Sequence, residues 1–385
     1  MNKVACLLNS PELGGAERSF ITQLSLLEDS SRLELFYPMV GSIKASEQLE
    51  EFVKSKSNLE LKGFQYQESL YRKSRSSKTD LILSLFFLLY QAFLFKIDGF
   101  FNFKTIWCNG NKVFYPIVIG ALLFRYKGTL LWHLRDYPAE GKVNNLIAWL
   151  IDKFSEFEIS LIGNSTSVVE AYKEKYKNLK IHRVYNPVEE VPEVLEKTNK
   201  GVIGFAGMSA PWKGLHELYL FASLYEDDLI KMGIKEIAVF GKNIYHTKGD
   251  HQSYESEVDQ LSKKFPSSLI VKKGLVSPDQ IFDSIDVMLH LSVKEEPFGR
   301  VLLESFAYGV PCISTGLGGS GELMKSFPEL IHYSFDYGGL CSKLERLFND
   351  TKAISEVRDR GREEYKSFQS LAKSDLKILE LAYLQ

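Results

Sequence analysis

Two carboxylates eight residues apart, Glu296 and Glu304, stand in the stretch EEPFGRVLLESFAYGVPCISTGLGGSGE, one before a helical pattern and one inside it. Pro297 suits a first helical turn, and Gly309 suits the position just past a helix end. Val310-Pro311-Cys312-Ile313-Ser314 then reads as a buried strand. A helix start preceded by the pair Phe298-Gly299 offers unpaired backbone N–H groups and a positive dipole end, which favours a phosphate or an oxygen-rich sugar. Glu304, about a turn deeper, is placed to accept hydrogen bonds from a diol.

Three further positions carry candidate chemistry. Lys213 lies in the loop Gly207-Met208-Ser209-Ala210-Pro211-Trp212-Lys213-Gly214 and offers a compact cation for a diphosphate; a solvated lysine is the plain alternative. His133, within Trp132-His133-Leu134-Arg135-Asp136, closes an apolar run and either bonds a sugar hydroxyl, carries a proton or is a structural histidine. Gly14-Gly15 follows the first apolar run, where the pair either lets a ligand approach the backbone or makes a tight turn.

These residues need elements to present them. Residues 4–8, 33–40, 105–108, 129–133, 159–162 and 181–185 form short apolar runs separated by helical periodicity, the signature of a parallel sheet covered on both faces. The pattern restarts at 202–206, 237–240, 269–271 and 287–291. Between the two halves, PVEEVPEVLEKTNK is acidic, punctuated by proline and poor in large apolar residues, as a linker is. The expected organisation is a first doubly wound domain at 1–188, a linker at 189–200, a second domain at 201–365, and a helix at 366–385 that crosses back to the first. The cleft between the carboxyl ends of two such sheets is the default ligand site.

Composition excludes several classes. Forty-seven basic against 49 acidic residues give no field for nucleic acid. Cys6, Cys108, Cys312 and Cys341 are far apart and read as reduced core residues of a cytoplasmic chain. The N-terminus has no apolar stretch long enough for an export signal. There is no D-x-D, no ligand spacing among the seven histidines and no G-x-S-x-G, so neither a metal nor hydrolase chemistry is expected. One segment stands apart: the basic YRKSRSSK is followed by LILSLFFLLYQAFLF, ending at Phe95. It is short of the roughly twenty residues of a span, and reads either as a buried helix or as an interfacial one whose basic flank meets anionic lipid.

Taken in order, GGAERS, WHLRD, IGNSTSVVEAY, VYNPVE, FAGMSAPWKG, VFGKN, SIDVMLHLS, and EPFGRVLLESFAYGVPCIST followed by GGSGE resemble the family four retaining glycosyltransferases, glycosyl transferases group 1. The E-x7-E block from Glu296 to Glu304 is the most specific part, and the resemblance covers most of the chain. It implies the α/β GT-B fold: two Rossmann-like doubly wound domains facing each other across a cleft, the first on the acceptor side and the second holding the donor. It further implies that Gly15 sits near the donor phosphates, Lys213 binds the diphosphate, and Glu304 holds the ribose hydroxyls. Glu296, with backbone groups of Phe298 and Gly299, would contact the transferred sugar, and His133 would face sugar and acceptor. Gly318-Gly319 and Glu322 would support that pocket, or be purely structural.

The family's arginine directly after the glycine of the lysine loop is Met208 here, which leaves Arg300 or Arg18 as a candidate second cation. The expected activity is metal-independent transfer from a nucleotide-diphosphate sugar, with no further cofactor, to a sugar or lipid-linked acceptor in surface polysaccharide or glycolipid synthesis. Contact through 71–95 would place it at the inner face of the membrane. The rivals are a nucleotide-sugar epimerase or phosphorylase of the same architecture, and a non-catalytic nucleotide-sugar-binding protein, for which Met208 is the main argument.

Overall fold

A strand turns alternate side chains to opposite faces, so a sheet apolar along every strand needs cover on both. In the computed structural model, which describes residues 3–56, 59–72, 78–154, 157–191, 199–241 and 250–384, β1 (Val4–Leu7) shows this directly. Val4 and Cys6 enter one apolar cluster with Phe20, Ile21 and Trp107, while Ala5 and Leu7 enter another with Phe95, Phe114 and Trp132. The other strands of this sheet are β2 (Leu33–Val40), β3 (Leu61–Tyr66), β4 (Thr105–Asn109), β5 (Thr129–Leu134), β6 (Glu158–Gly163) and β7 (Lys180–Arg183). All pairs are parallel, in the order β3-β2-β1-β4-β5-β6-β7. The order reverses between β1 and β4, the switch point at which open α/β sheets bind ligands.

The second sheet consists of β8 (Val202–Ala206), β9 (Glu236–Phe240), β10 (Ile270–Gly274), β11 (Val287–His290) and β12 (Cys312–Ser314). It is also parallel, in the order β10-β9-β8-β11-β12, and reverses between β8 and β11. Lys213 follows β8 and Glu296 follows β11, so the topology alone sets both at one switch point.

The chain divides into two units, Met1–Pro187 with Ser370–Gln385, and Val188–Gln369. The last helix, Thr351–Tyr383, contributes Leu376 and Leu379 to the cluster around Trp107 in the first unit. There the Tyr383 hydroxyl accepts from Ser160 at 2.7 Å, and Arg183 pairs with Asp375 at 3.2 Å. Of the segment read as a linker, Val188 and Glu189 are packed in the second unit, where the Val188 carbonyl accepts from Gln369 and Glu189 from Arg300; 192–198 lie outside the described residues.

The apolar run that ends at Phe95 forms the helix Lys78–Ile97, and it is two-faced. Leu88, Ala92 and Phe95 are buried, and Gln91, polar within the run, bonds the Gln67 N–H and the Gln65 carbonyl at the end of β3. The opposite face exposes Ile82, Phe86, Leu89, Phe93 and Ile97, with Phe86 at 61% and Phe93 at 55% exposure. No helix among the described residues is long and apolar enough to cross a membrane. The basic flank at 73–77 lies outside the described residues.

Candidate functional site

The loop after β8 is docked onto the chain leaving β11. Gly214 adopts φ +79°, and a Cβ there would lie 1.9 Å from the Leu291 carbonyl oxygen, so only glycine lets the two backbones meet. Two residues earlier the Trp212 carbonyl accepts from the Val293 N–H at 2.9 Å. This brings Lys213 over the Trp212 ring, 4.2 Å from its centroid, and onto Glu296, whose two carboxylate oxygens accept from its Nζ at 2.8 and 2.7 Å. Glu296 is held in turn by its backbone: its N–H donates to Leu317 at 3.0 Å and its carbonyl accepts from Gly319 at 2.7 Å, forming a bridge with Gly318. Its carboxylate also accepts from Ser292 at 3.1 Å and has His290 Nε2 at 3.6 Å. Burial pushes the Glu296 carboxyl up, but the Lys213 charge and the contact with His290 outweigh it and hold the acid well below the usual carboxylate range.

The helix bearing Glu304 runs Arg300–Ala307, directly after the pair Phe298-Gly299 expected to precede it and three residues past Pro297. Its N-cap is Gly299 at φ +86°, where a Cβ would press to 3.2 Å from Ser320 Cβ. Phe298 is buried, its ring 6.4 Å from that of Phe368. Arg300 Nε donates to Glu304 at 2.8 Å, and its Nη2 donates to Glu189. The arginine that the sequence offered as a second cation is therefore engaged by two carboxylates, one of them Glu304.

Gly15 and His133 belong to the first unit. Gly15 is the first residue of the helix Gly15–Ser25, and the Ala16 carbonyl accepts from Asn109 Nδ2 at 3.4 Å. Asn109 Oδ1 accepts from Arg135 Nε at 2.6 Å, and Arg135 Nη1 donates to Asn186 at 2.7 Å. His133 is fully buried, parallel to Trp107 at 6.1 Å and edge-on to Phe20 at 5.9 Å, and neither ring nitrogen has a hydrogen-bond partner. Burial first, and then the Arg135 charge, lower its pKa well below the ordinary histidine value, so the ring is neutral. The Arg18 guanidinium lies over the Phe52 ring at 4.7 Å.

Several residues of these sites escaped the sequence. Glu17 is buried in the first turn of the first helix, and burial pushes its acid up to about 7 against its own backbone hydrogen bond and the charges of Arg135 and Lys112. His290 and Ser292 line the approach to Glu296; the signal was a polar residue at alternate positions of the run LHLS, where apolar residues should fill a buried strand. Among the described residues no group of three or more His, Cys, Asp or Glu is arranged to hold a metal.

Residues 187–364 match the family model described as glycosyl transferases group 1. The chain is 26% identical over 168 residues to the putative glycosyltransferase YtcC of Bacillus subtilis (strain 168), a match covering 43% of this chain and 40% of that protein. It is 39% identical over 95 residues to N-acetyl-alpha-D-glucosaminyl L-malate synthase of Bacillus anthracis, covering 22% of this chain and 23% of that one. The chain thus spans less than half the length of either curated relative. Among solved structures, Anabaena Alr3699/HepE in complex with UDP and glucose superposes with a TM-score of 0.75 at 16% identity, over 99% of this chain and 100% of that one. The fold is therefore the two-sheet α/β architecture of the GT-B glycosyltransferases.

Proposed function

We propose that this chain, whose residues 187–364 match the glycosyl transferases group 1 model, is a retaining, metal-independent glycosyltransferase that moves a sugar from a nucleotide-diphosphate donor to a hydroxyl acceptor. The observation that carries this is the buried contact of Lys213 with Glu296 at the switch point of the second sheet. Lys213 supplies the cation for the departing diphosphate, where charge develops as the glycosidic bond breaks. Glu296, bonded by Lys213 and Ser292, is held ionised by two donors, which suits positioning of the sugar better than nucleophilic attack. The acceptor proton passes to the leaving phosphate on the face the diphosphate vacates, which retains the anomeric configuration. Glu304, oriented by Arg300, takes the ribose hydroxyls, and Phe298 and Gly299 lie beside the sugar.

The exposed apolar stripe from Ile82 to Ile97 favours a lipid-linked acceptor reached at a membrane surface, as in surface polysaccharide or glycolipid assembly. Incubation with a panel of nucleotide sugars and sugar or lipid-linked acceptors, read by NMR at the anomeric proton, tests the whole. A product of unchanged anomeric configuration, formed equally well with chelator, is expected. Donor binding without transfer across the panel would instead identify a binding protein, and conversion of donor alone would identify an epimerase.

A further inference from the structure

The Glu296 carboxylate ends a chain of hydrogen bonds that the function proposed above leaves unused. Ser314 Oγ accepts from the Gly316 N–H at 3.1 Å and lies 3.0 Å from His290 Nδ1, where its one proton can be donated. With Nδ1 accepting, a neutral ring carries its proton on Nε2, where Ser292 Oγ lies at 3.4 Å and Glu296 Oε2 at 3.6 Å. Ser292 then donates to Glu296 Oε2 at 3.1 Å, because a carboxylate only accepts. The strands set this spacing: His290 and Ser314 are direct partners in the β11–β12 ladder, and Thr315 Oγ1 bonds the Ser292 carbonyl at 2.7 Å. His290, Ser292 and Ser314 are all buried, so water does not compete for these bonds.

With that tautomer every proton in the chain points toward Glu296, whose two oxygens Lys213 also holds. A diphosphate that engages Lys213 draws that cation's donors away, and the carboxylate then depends on what stands behind it. We propose that His290 is a positioning residue for sugar transfer: through Ser292 it keeps the Glu296 carboxylate aimed while Lys213 turns to the donor diphosphate. This rests on the roles proposed above for Glu296 and Lys213, whereas the direction of the relay is a property of the free protein.

Two measurements test it. Nitrogen-15 spectra of the full chain labelled at histidine should show His290 as the Nε2–H tautomer, and Ser314→Ala should mix the tautomers; an Nδ1–H ring in the wild type overturns the relay whether or not sugar is transferred. In turnover, His290→Phe should lower kcat about 10- to 100-fold, as loss of an orienting partner does elsewhere, with donor KM shifted less than about threefold. His290→Gln, whose amide nitrogen reaches toward the Nε2 position, should recover about tenfold of that loss. Equal rates for the Phe and Gln variants, or a donor KM that rises as much as kcat falls, would overturn the positioning role. Absence of any transfer by the wild type would instead refute the proposed function, and the tautomer would then decide the relay.

Discussion

Lys213 Nζ reaches both oxygens of the Glu296 carboxylate, at 2.8 and 2.7 Å, across 83 residues of sequence. Both side chains are largely withdrawn from water, so removing one strands the other. Lys213→Met should cost about 3–5 kcal/mol of folding stability, and the double variant Lys213→Met/Glu296→Met should recover much of it, because two apolar groups replace a buried pair nearly neutrally. Urea melts of the variants check this, and a Lys213→Met loss under about 1 kcal/mol would show that the pair is solvated. The pH sense follows from the depressed Glu296 acid. The folded chain holds this group ionised where the unfolded chain protonates it, near pH 4.3. Its stabilisation is therefore complete above that pH and is lost as pH falls toward the folded value.

His133 lies parallel to Trp107 with both nitrogens unpartnered, and its lowered pKa adds an acid sensitivity of the same sign at higher pH. Below about pH 6.5 the unfolded chain takes up a proton there that the folded chain refuses, so each further unit of pH costs about 1.4 kcal/mol. His133→Phe, an aromatic of similar size between Phe20 and Trp107, should flatten this part of the stability profile between pH 7 and 5, while His182 and His332 keep their own smaller slopes. Equal pH slopes in variant and wild type would mean that the ring is protonated in the fold. For the same reason the pH–rate profile should carry no limb from His133 between pH 6 and 8, which a kcat/KM series would reveal.

The parts of this protein that were legible in its sequence are those in which one physical demand acts alone. Runs such as VACL, and LLW within TLLWHL, are apolar because both faces of a parallel strand are covered, and they mark β1 and β5 with no further information. β3 was missed because it is an edge strand: LKGFQY buries Phe64 and Tyr66 and leaves Gly63 and Gln65 exposed, a weak alternating pattern. Pro297 alone would put the first helical residue three positions too early, whereas the pair Phe298-Gly299 marks the start, Gly299 making the turn at positive φ. The carboxylates Glu296 and Glu304 were visible by type and spacing. Their partners were not, since Arg300, Glu189, Ser292 and His290 meet them only after the strands are laid side by side.

The helix Lys78–Ile97 exposes on one face what most helices bury. Full burial of each phenylalanine contributes about 1.5–3 kcal/mol, so insertion of Phe86 and Phe93 into a bilayer surface would dominate its affinity. Phe86→Asp with Phe93→Asp should lower co-sedimentation with anionic vesicles at least about tenfold, and thermal melts should stay unchanged because both residues are exposed in the fold. Wild-type protein that stays in the supernatant with anionic vesicles at low salt would refute membrane docking through this face.

Met208 stands where the resembling family places a second cation for the diphosphate, in the loop that carries Lys213. Its neighbour Gly207 lies against Lys213, with the Cβ position 3.8 Å from the lysine Cδ, so residue 208 is set close to that side chain. Arg300 cannot replace it without leaving Glu304 and Glu189, both of which it bonds. A hydrogen bond to a charged group contributes about 1.5–3 kcal/mol, so Met208→Arg should tighten nucleoside diphosphate binding by roughly 10- to 100-fold. Calorimetry with the nucleoside diphosphate alone measures this independently of the acceptor. If turnover rises with affinity, the natural Met208 limits the stabilisation of the leaving diphosphate. If affinity rises while kcat is unchanged, the added cation binds ground and transition states alike, and Lys213 alone suffices for the chemical step. An unchanged dissociation constant would show that position 208 lies outside the phosphate site of this chain.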